Sequence, residues 1–313
     1  MAINLFDFKE WSSMDNGLFL INKLIEFNVL PASRKCPRGH VMKIVKDNSV
    51  IDNFKWMCRD KIRERNQKSK PCNYSASLRK DTFFYKSHLS LLNICGFVNL
   101  WSMNCPSLVI QKQLRLANQT VVDWSSFCRE VVFDHMIKKK TQLGGIGKVV
   151  EIDESKFGRR KYHRGHRVEG QWVFGGYERG SGDCFLIPVE DRSAETLVRI
   201  IEEWIKPGTT IISDCWKAYS RLNEKGYNHL TVNHSVNFKD PETGAHTNTV
   251  ESTWRHAKVT LPNYKRKKEF YGGYLAKYMF MKKCRNHELD PTVEFFNAAG
   301  SLYSVDLEED LEL

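Results

Sequence analysis

The chain has 313 residues, enough for two or three domains whose core needs no disulfide staples. Apolar residues make up 41% and charged residues 27%, which excludes a disordered or fibrous chain. Lys and Arg outnumber Asp and Glu by 48 to 37, a net charge of +11, and this surplus suits a polyanionic partner. No apolar run approaches the roughly 18 residues of a membrane span, so no membrane partner is expected. The N-terminal stretch is broken by Asp7, Lys9, Glu10 and Asp15 and does not read as a signal peptide. Nine cysteines, an odd number without regular pairing, suit reduced thiols or metal ligands, and an intracellular protein is expected.

Residues 18–27 read as a short amphipathic helix that Pro31 ends, within an N-terminal helical segment, 1–33. Residues 34–86 alternate short β-like pieces such as VMKIV with a basic insertion, RDKIRERNQKSK. This module carries a candidate zinc set, Cys36, His40, Cys58 and Cys72, with looser spacing than two tight Cys-x2-Cys pairs. The other six cysteines read as buried thiols. Over 87–140 the pattern is helical, with helices near 107–116 and 120–136 and a capping-box-like start at Thr120 and Asp123. Val121, Trp124, Cys128, Val131 and His135 would form the buried stripe of the second helix. The pair reads as a helix-turn-helix-like DNA-binding region, with an ordinary helical hairpin as the alternative.

The basic, Gly-rich run KKKTQLGGIGK marks a boundary before a domain over 146–290. Strands are expected at 148–153, 171–178 and 184–190, then a helix capped by Ser193 with Ala194, Leu197, Ile201 and Trp204 facing inward. A strand at 209–213 follows. Three antiparallel strands, a crossover helix and a parallel fourth strand predict an α/β domain. The last segment, 291–313, reads as an acidic tail.

Three acids stand at element ends: Asp153 after the first strand, Asp214 after the fourth, and Glu251 near the start of a helix beginning around Asn248. If the first and fourth strands are neighbours, two carboxylates meet and the helix delivers a third, the hard oxygen ligands of a two-metal site for phosphoryl transfer. Each acid also has a simpler reading: Asp153 as a turn residue, Asp214 as the cap of a helix CWKAYSRL, Glu251 as a capping-box glutamate.

The segments VVEIDESKFGRRKYHRGHR, GTTIISDCWKAYSRL and VNHSVNFKDPETGAHTNTVESTWRHAK closely resemble the DDE transposases of Merlin-type mobile elements and their bacterial insertion-sequence relatives. The resemblance covers most of 148–285, with a weaker echo in the cysteine module and in the stretch from Asp123 to Glu130. It implies an RNase H-like mixed sheet flanked by helices, a triad of Asp153, Asp214 and Glu251, and Mg²⁺ or Mn²⁺ as cofactor. It also implies cleavage and strand transfer on double-stranded DNA, at the element's terminal inverted repeats and at a target. A homo-oligomer follows from the need to join two ends. In the family a cysteine pair usually opens the zinc module, so His40 and the stretch before Cys72 depart from its pattern.

Arg159, Arg160, Lys161, Arg164 and Arg167 in the basic loop, Lys258, and Lys265, Arg266 and Lys267 are candidate phosphate contacts. The run KRKK also fits nuclear import if the host is a eukaryote. His234, His246 and Asn248 are candidates for orienting substrate. Trp172 and Trp216 read as core, with stacking on unpaired bases as the alternative. Two other functions stay open: an RNase H-like nuclease without strand transfer, and a domesticated, non-catalytic DNA-binding regulator.

Overall fold

The structure, a computed structural model, describes residues 2–62, 69–158, 170–233, 240, 244–261 and 268–303. In chain order the elements are α1 (Leu5–Ser13), α2 (Leu18–Glu26), β1 (Lys43–Lys46), β2 (Phe54–Met57), β3 (Lys61–Ile62), β4 (Lys70–Pro71), β5 (Ser75–Ser77), α3 (Leu91–Ser102), α4 (Ser107–Leu114) and α5 (Asn118–Lys138). There follow β6 (Leu143–Gly144), β7 (Val149–Phe157), β8 (Gln171–Glu178), β9 (Cys184–Val189), α6 (Ala194–Trp204), β10 (Ile205–Lys206), β11 (Thr210–Asp214), β12 (Asn228–Val232), α7 (Asn248–Thr260), α8 (Tyr271–Asn286) and α9 (Pro291–Tyr303). Two compact units result, residues 1–131 with 289–313, and residues 132–288. Among the described residues no helix is long and apolar enough to cross a membrane.

In the first unit, α1 lies within the N-terminal segment 1–33 read as helical and is started by a capping box between Asn4 and Asp7. The stretch 291–303, expected in an acidic tail, is instead the helix α9. Pro291 opens it, Asp290 accepts from the Thr292 and Val293 N–H groups at 2.7 and 3.1 Å, and Phe295, Phe296, Ala298 and Ala299 are buried. Gly300 lets α9 lie against the chain at Asn28, whose carbonyl oxygen would stand 1.9 Å from an added Cβ. The acids that suggested a tail begin at Asp306, outside the described residues.

Helix α5 begins at Asn118, so Thr120 lies inside it and is not its cap; the Gln119 side chain instead donates to Asp123 Oδ1 at 2.7 Å. Val121, Trp124, Cys128 and Val131 are buried, and His135 is half-buried. Helices α4 and α5 are joined by a tight link with Arg115 at φ 53°. The cysteine module is a sheet of order β1-β2-β5, all antiparallel, with a β3-β4 hairpin.

The second unit holds a five-stranded sheet of order β12-β11-β7-β8-β9. Strands β7, β8 and β9 run antiparallel, while β11 is parallel to both β7 and β12. An antiparallel meander followed by two parallel strands on the far side of the first is the RNase H-like sheet that the resemblance implies. Ser193 caps α6 through its bond from Thr196 N–H, and Leu197, Ile201 and Trp204 turn inward, whereas Ala194 is exposed. Strand β12 was not legible in the sequence. The expected helix CWKAYSRL is only a 3-10 turn, Lys217–Tyr219.

Candidate active site and metal centre

Strand β7 was expected to end at Asp153 but continues to Phe157, so Asp153 lies mid-strand opposite Gly175 of β8. It is not a turn residue. Alternation along β7 sends Glu151, Asp153 and Ser155 to one face, and each engages α7. Glu151 accepts from the Thr249 and Val250 N–H groups at 2.9 and 3.0 Å, Asp153 Oδ2 from Trp254 Nε1 at 2.8 Å, and Ser155 Oγ from Lys258 Nζ at 2.7 Å. The spacings agree: Glu151 to Ser155 spans about 13 Å of strand, and Val250 to Lys258 about 12 Å of helix.

Glu151 is wholly buried yet surrounded by donors. Besides the two amides, Thr249 Oγ1 donates at 2.9 Å and Arg179 Nε at 2.7 Å. Thr247, the N-cap of α7, makes no side-chain capping bond. Glu151 therefore caps the helix from another strand, and its charge faces the positive end of the helix dipole. Arg179 also donates to the His246 carbonyl at 2.9 Å and holds the segment leading into the helix. His246 Nδ1 is 3.7 Å from Glu151 Oε1, without a hydrogen-bond partner among the described residues. Glu251 lies exposed on the first turn of α7, four residues after the cap, one position beyond where a capping-box acid sits.

Asp153 is held in place by an indole that needs room. A Cβ at Gly175 would stand 2.4 Å from Trp254 Cη2, so glycine at this strand position makes space for the ring that bonds Asp153. Burial, with the charges of Glu154 and Asp214, pushes the Asp153 carboxyl up to about 7. Asp214 ends β11, and its Oδ1 accepts from the Trp216 N–H at 3.0 Å. The last paired positions of the two parallel strands are Ile212 and Glu151. Asp214 and Asp153 each follow by two residues, so they occupy equivalent positions on neighbouring strands and project to the same face.

Glu154 was missed by sequence reading. It projects to the opposite face, accepts from the Tyr219 hydroxyl, and is raised above its ordinary range by burial, with Asp214 adding to the effect. Glu151 was missed as well. The available signal was an acid inside the apolar strand VVEID, since a buried carboxylate demands donors. Lys258 is half-buried, and burial lowers its ammonium pKa while Asp153 opposes the fall. Asn248 is exposed at the start of α7. Arg159, Arg160, Lys161, Arg164, Arg167, His234, Lys265, Arg266 and Lys267 lie outside the described residues.

In the first unit, two hairpin-like tips bring Cys36, His40, Cys58 and Cys72 together, with their ligand atoms all within 4.8 Å of one another. The first tip is closed by bonds from Cys36 N to His40 O and from Gly39 N to Cys36 O, with Gly39 at φ 81°. The second tip is closed by the Cys58 N to Tyr74 O and Cys72 N to Asp60 O bonds. The Cys36 and Cys72 sulfurs are 3.9 Å apart, and Cys58 Sγ is 3.6 Å from His40 Nδ1. Tetrahedral zinc requires about 3.8 Å between two thiolates and about 3.6 Å between thiolate and imidazole, so this donor set fits. Among the described residues Asp153, Asp214 and Glu251 are not drawn into a comparably tight group.

Residues 142–282 match the ISXO2-like transposase domain. This stretch is similar to that transposase domain. It holds β7, β8, β9, β11, β12 and α7, and with them Asp153, Asp214 and Glu251. An uncharacterized transposase-like protein of Haemophilus influenzae is 29% identical over 80 residues, 26% of this chain; the chain spans 63% of that relative's length. Among solved structures, the HTLV-2 integrase catalytic core domain in complex with magnesium is similar at 12% identity and a TM-score of 0.29, over 45% of this chain and 86% of that one. The Mos1 pre-cleavage transpososome is similar at 10% identity and a TM-score of 0.27, over 64% and 76%.

Proposed function

We propose that the chain is a DNA transposase that binds terminal inverted repeats and cuts and joins strands at a divalent-metal site formed by Asp153, Asp214 and Glu251. The observation that carries this reading is the equivalent placement of Asp153 and Asp214 on adjacent parallel strands, beside a helix whose first turn bears Glu251 and is tied to the same strand. The donors suit the metal, since carboxylate oxygens are the hard ligands that Mg²⁺ and Mn²⁺ prefer. Burial and two like charges disfavour an ionised Asp153, and a divalent cation relieves that repulsion. When bound, the metal ions activate the attacking oxygen and stabilise the leaving oxygen of an in-line displacement.

The protein's own groups do the positioning. Trp254 orients Asp153, Glu151 seats the turn that carries Glu251, and Lys258 sets a positive charge beside Asp153 where a phosphate would lie. Arg159, Arg160, Lys161, Arg164, Arg167, Lys265, Arg266 and Lys267 are assigned to backbone phosphates, and His234, His246 and Asn248 to substrate orientation. Cys36, His40, Cys58 and Cys72 hold a structural zinc in this reading, and the ribbon-like and helical regions recognise the element ends. A dimer or higher oligomer brings two ends together.

The test is incubation of purified protein with Mg²⁺ or Mn²⁺, a labelled duplex bearing the element's terminal repeat and a supercoiled target, beside the Asp214→Ala variant. Nicks at the repeat end and joined products, both lost in the variant, are expected. Nicking without joining supports the nuclease, and binding without cleavage, identical in the variant, supports the non-catalytic regulator.

A further inference from the structure

Trp172 stands near the start of β8 and Trp216 just beyond β11, and neither is a core residue. Trp172 is half-buried and Trp216 is 43% exposed. The Arg192 guanidinium carbon lies over both rings, 3.9 Å from the Trp172 ring centre and 4.9 Å from that of Trp216. Among the described residues the Arg192 side chain makes no ion pair and no hydrogen bond. The indole faces hold it, its charge also acts on Glu154, and its N–H donors have no partner among the described residues. Beside this stack is a hollow of about 560 Å³ lined by Arg192, Ala194, Cys215, Trp216, Lys217 and Ala218. Its size falls within the roughly 300–1,000 Å³ of small-ligand sites.

The lining combines two cations, one exposed indole and no carboxylate, which selects a planar group joined to an anion. A nucleotide has that chemistry. The chain runs from Asp214 directly into Cys215, Trp216 and Lys217, so the hollow adjoins the carboxylate assigned to metal. A base inside a duplex has both faces covered by its neighbours and cannot stack on protein without leaving the helix. We infer that this hollow receives one unpaired nucleotide beside the scissile phosphate, its base on Trp216 and its phosphate on Arg192 and Lys217. Every base offers a π-face, so such a site reads whether a nucleotide is unpaired and not which base it is. The inference rests on the transposase reading.

The test uses the full-length protein without added Mg²⁺ or Mn²⁺ and two short duplexes with 2-aminopurine near one end, one fully paired and one mismatched there. Anisotropy reads affinity, and 2-aminopurine fluorescence reads stacking. Wild type should prefer the mismatched end and quench its fluorescence. Trp216→Ala should reduce that preference by roughly 5- to 150-fold, the span of base–aromatic stacking, and Trp216→Phe should restore most of it. Lys217→Ala should lower the slope of affinity against salt by about one phosphate contact. Circular dichroism verifies that the variants fold. A wild type without end preference, or a Trp216→Ala variant that keeps both preference and quenching, overturns the inference. If wild type cleaves with metal while Trp216→Ala behaves as wild type, only this inference falls; if wild type neither binds nor cleaves DNA, the transposase reading falls with it.

Discussion

Replacing Glu151 tests the claim that a buried carboxylate on β7 holds the first turn of α7. Glu151→Ala strips the acceptor from two helix amides, the Thr249 hydroxyl and Arg179 at once. The Arg179 side chain keeps 30% exposure and recovers part of its hydration, but the Val250 amide is in a buried residue and has no alternative acceptor in view. Breaking a buried ion pair from one side costs about 3–5 kcal/mol, and the amide terms overlap with that figure because one carboxylate serves all four donors. A unit of this size loses about 2–4 °C per kcal/mol, so the melting midpoint should fall by about 6–20 °C. Glu151→Gln keeps the shape and one carbonyl oxygen but sets an N–H₂ against a donor, which should cost about 1–3 kcal/mol. Thermal denaturation gives the magnitude and amide hydrogen exchange the location: Thr249 and Val250 should lose protection while the β7-β8 ladder keeps it. A Glu151→Ala protein that melts within 2 °C of wild type, with both amides still protected, would refute the reasoning.

Other expectations follow from the same contacts. Gly175→Ala drives a methyl into Trp254 and Leu186 and should cost about 1–3 kcal/mol, with altered tryptophan emission as the ring leaves Asp153; unchanged emission and melting would contradict the packing. Asp153→Asn should abolish cleavage while DNA affinity, by anisotropy, stays level or rises, because a metal ligand and a negative charge go together; loss of affinity alongside cleavage would argue against a catalytic role. Zinc titration and elemental analysis should find one Zn²⁺ per chain, lost in Cys58→Ala together with several degrees of melting temperature; equal zinc content in both proteins would dismiss the site. His135 is held down at about 4 by burial first and then by Lys139 and Lys283. The native state therefore binds its proton later than the unfolded chain, so this contribution is complete above about 6.5 and is lost as pH falls toward 4. His135→Leu should flatten that part of the stability profile, and an unchanged profile would locate the acid sensitivity elsewhere.

What the amino-acid sequence determined by itself is local. The bounds of β8, the Ser193 cap, the buried Leu197, Ile201 and Trp204 on α6, and the four zinc-type ligands all follow from alternation, helical period, capping chemistry and ligand type. The run of acids after residue 305 drew attention from the apolar spacing of 292–300 and hid α9. The extent of β7 was misjudged because Glu154, Ser155 and Lys156 look like turn residues, and only pairing with β8 makes them strand. Tertiary structure alone decided the roles of Glu151 and Glu154, since their partners lie at Arg179, Thr249, Val250 and Tyr219, as many as 99 residues away. It also decided that β11 lies beside β7, with Asp214 and Asp153 each two residues beyond the last pair. A buried charge must find donors wherever the fold brings them, and strand register is set by packing over the whole sheet, so neither is written in the residues on either side.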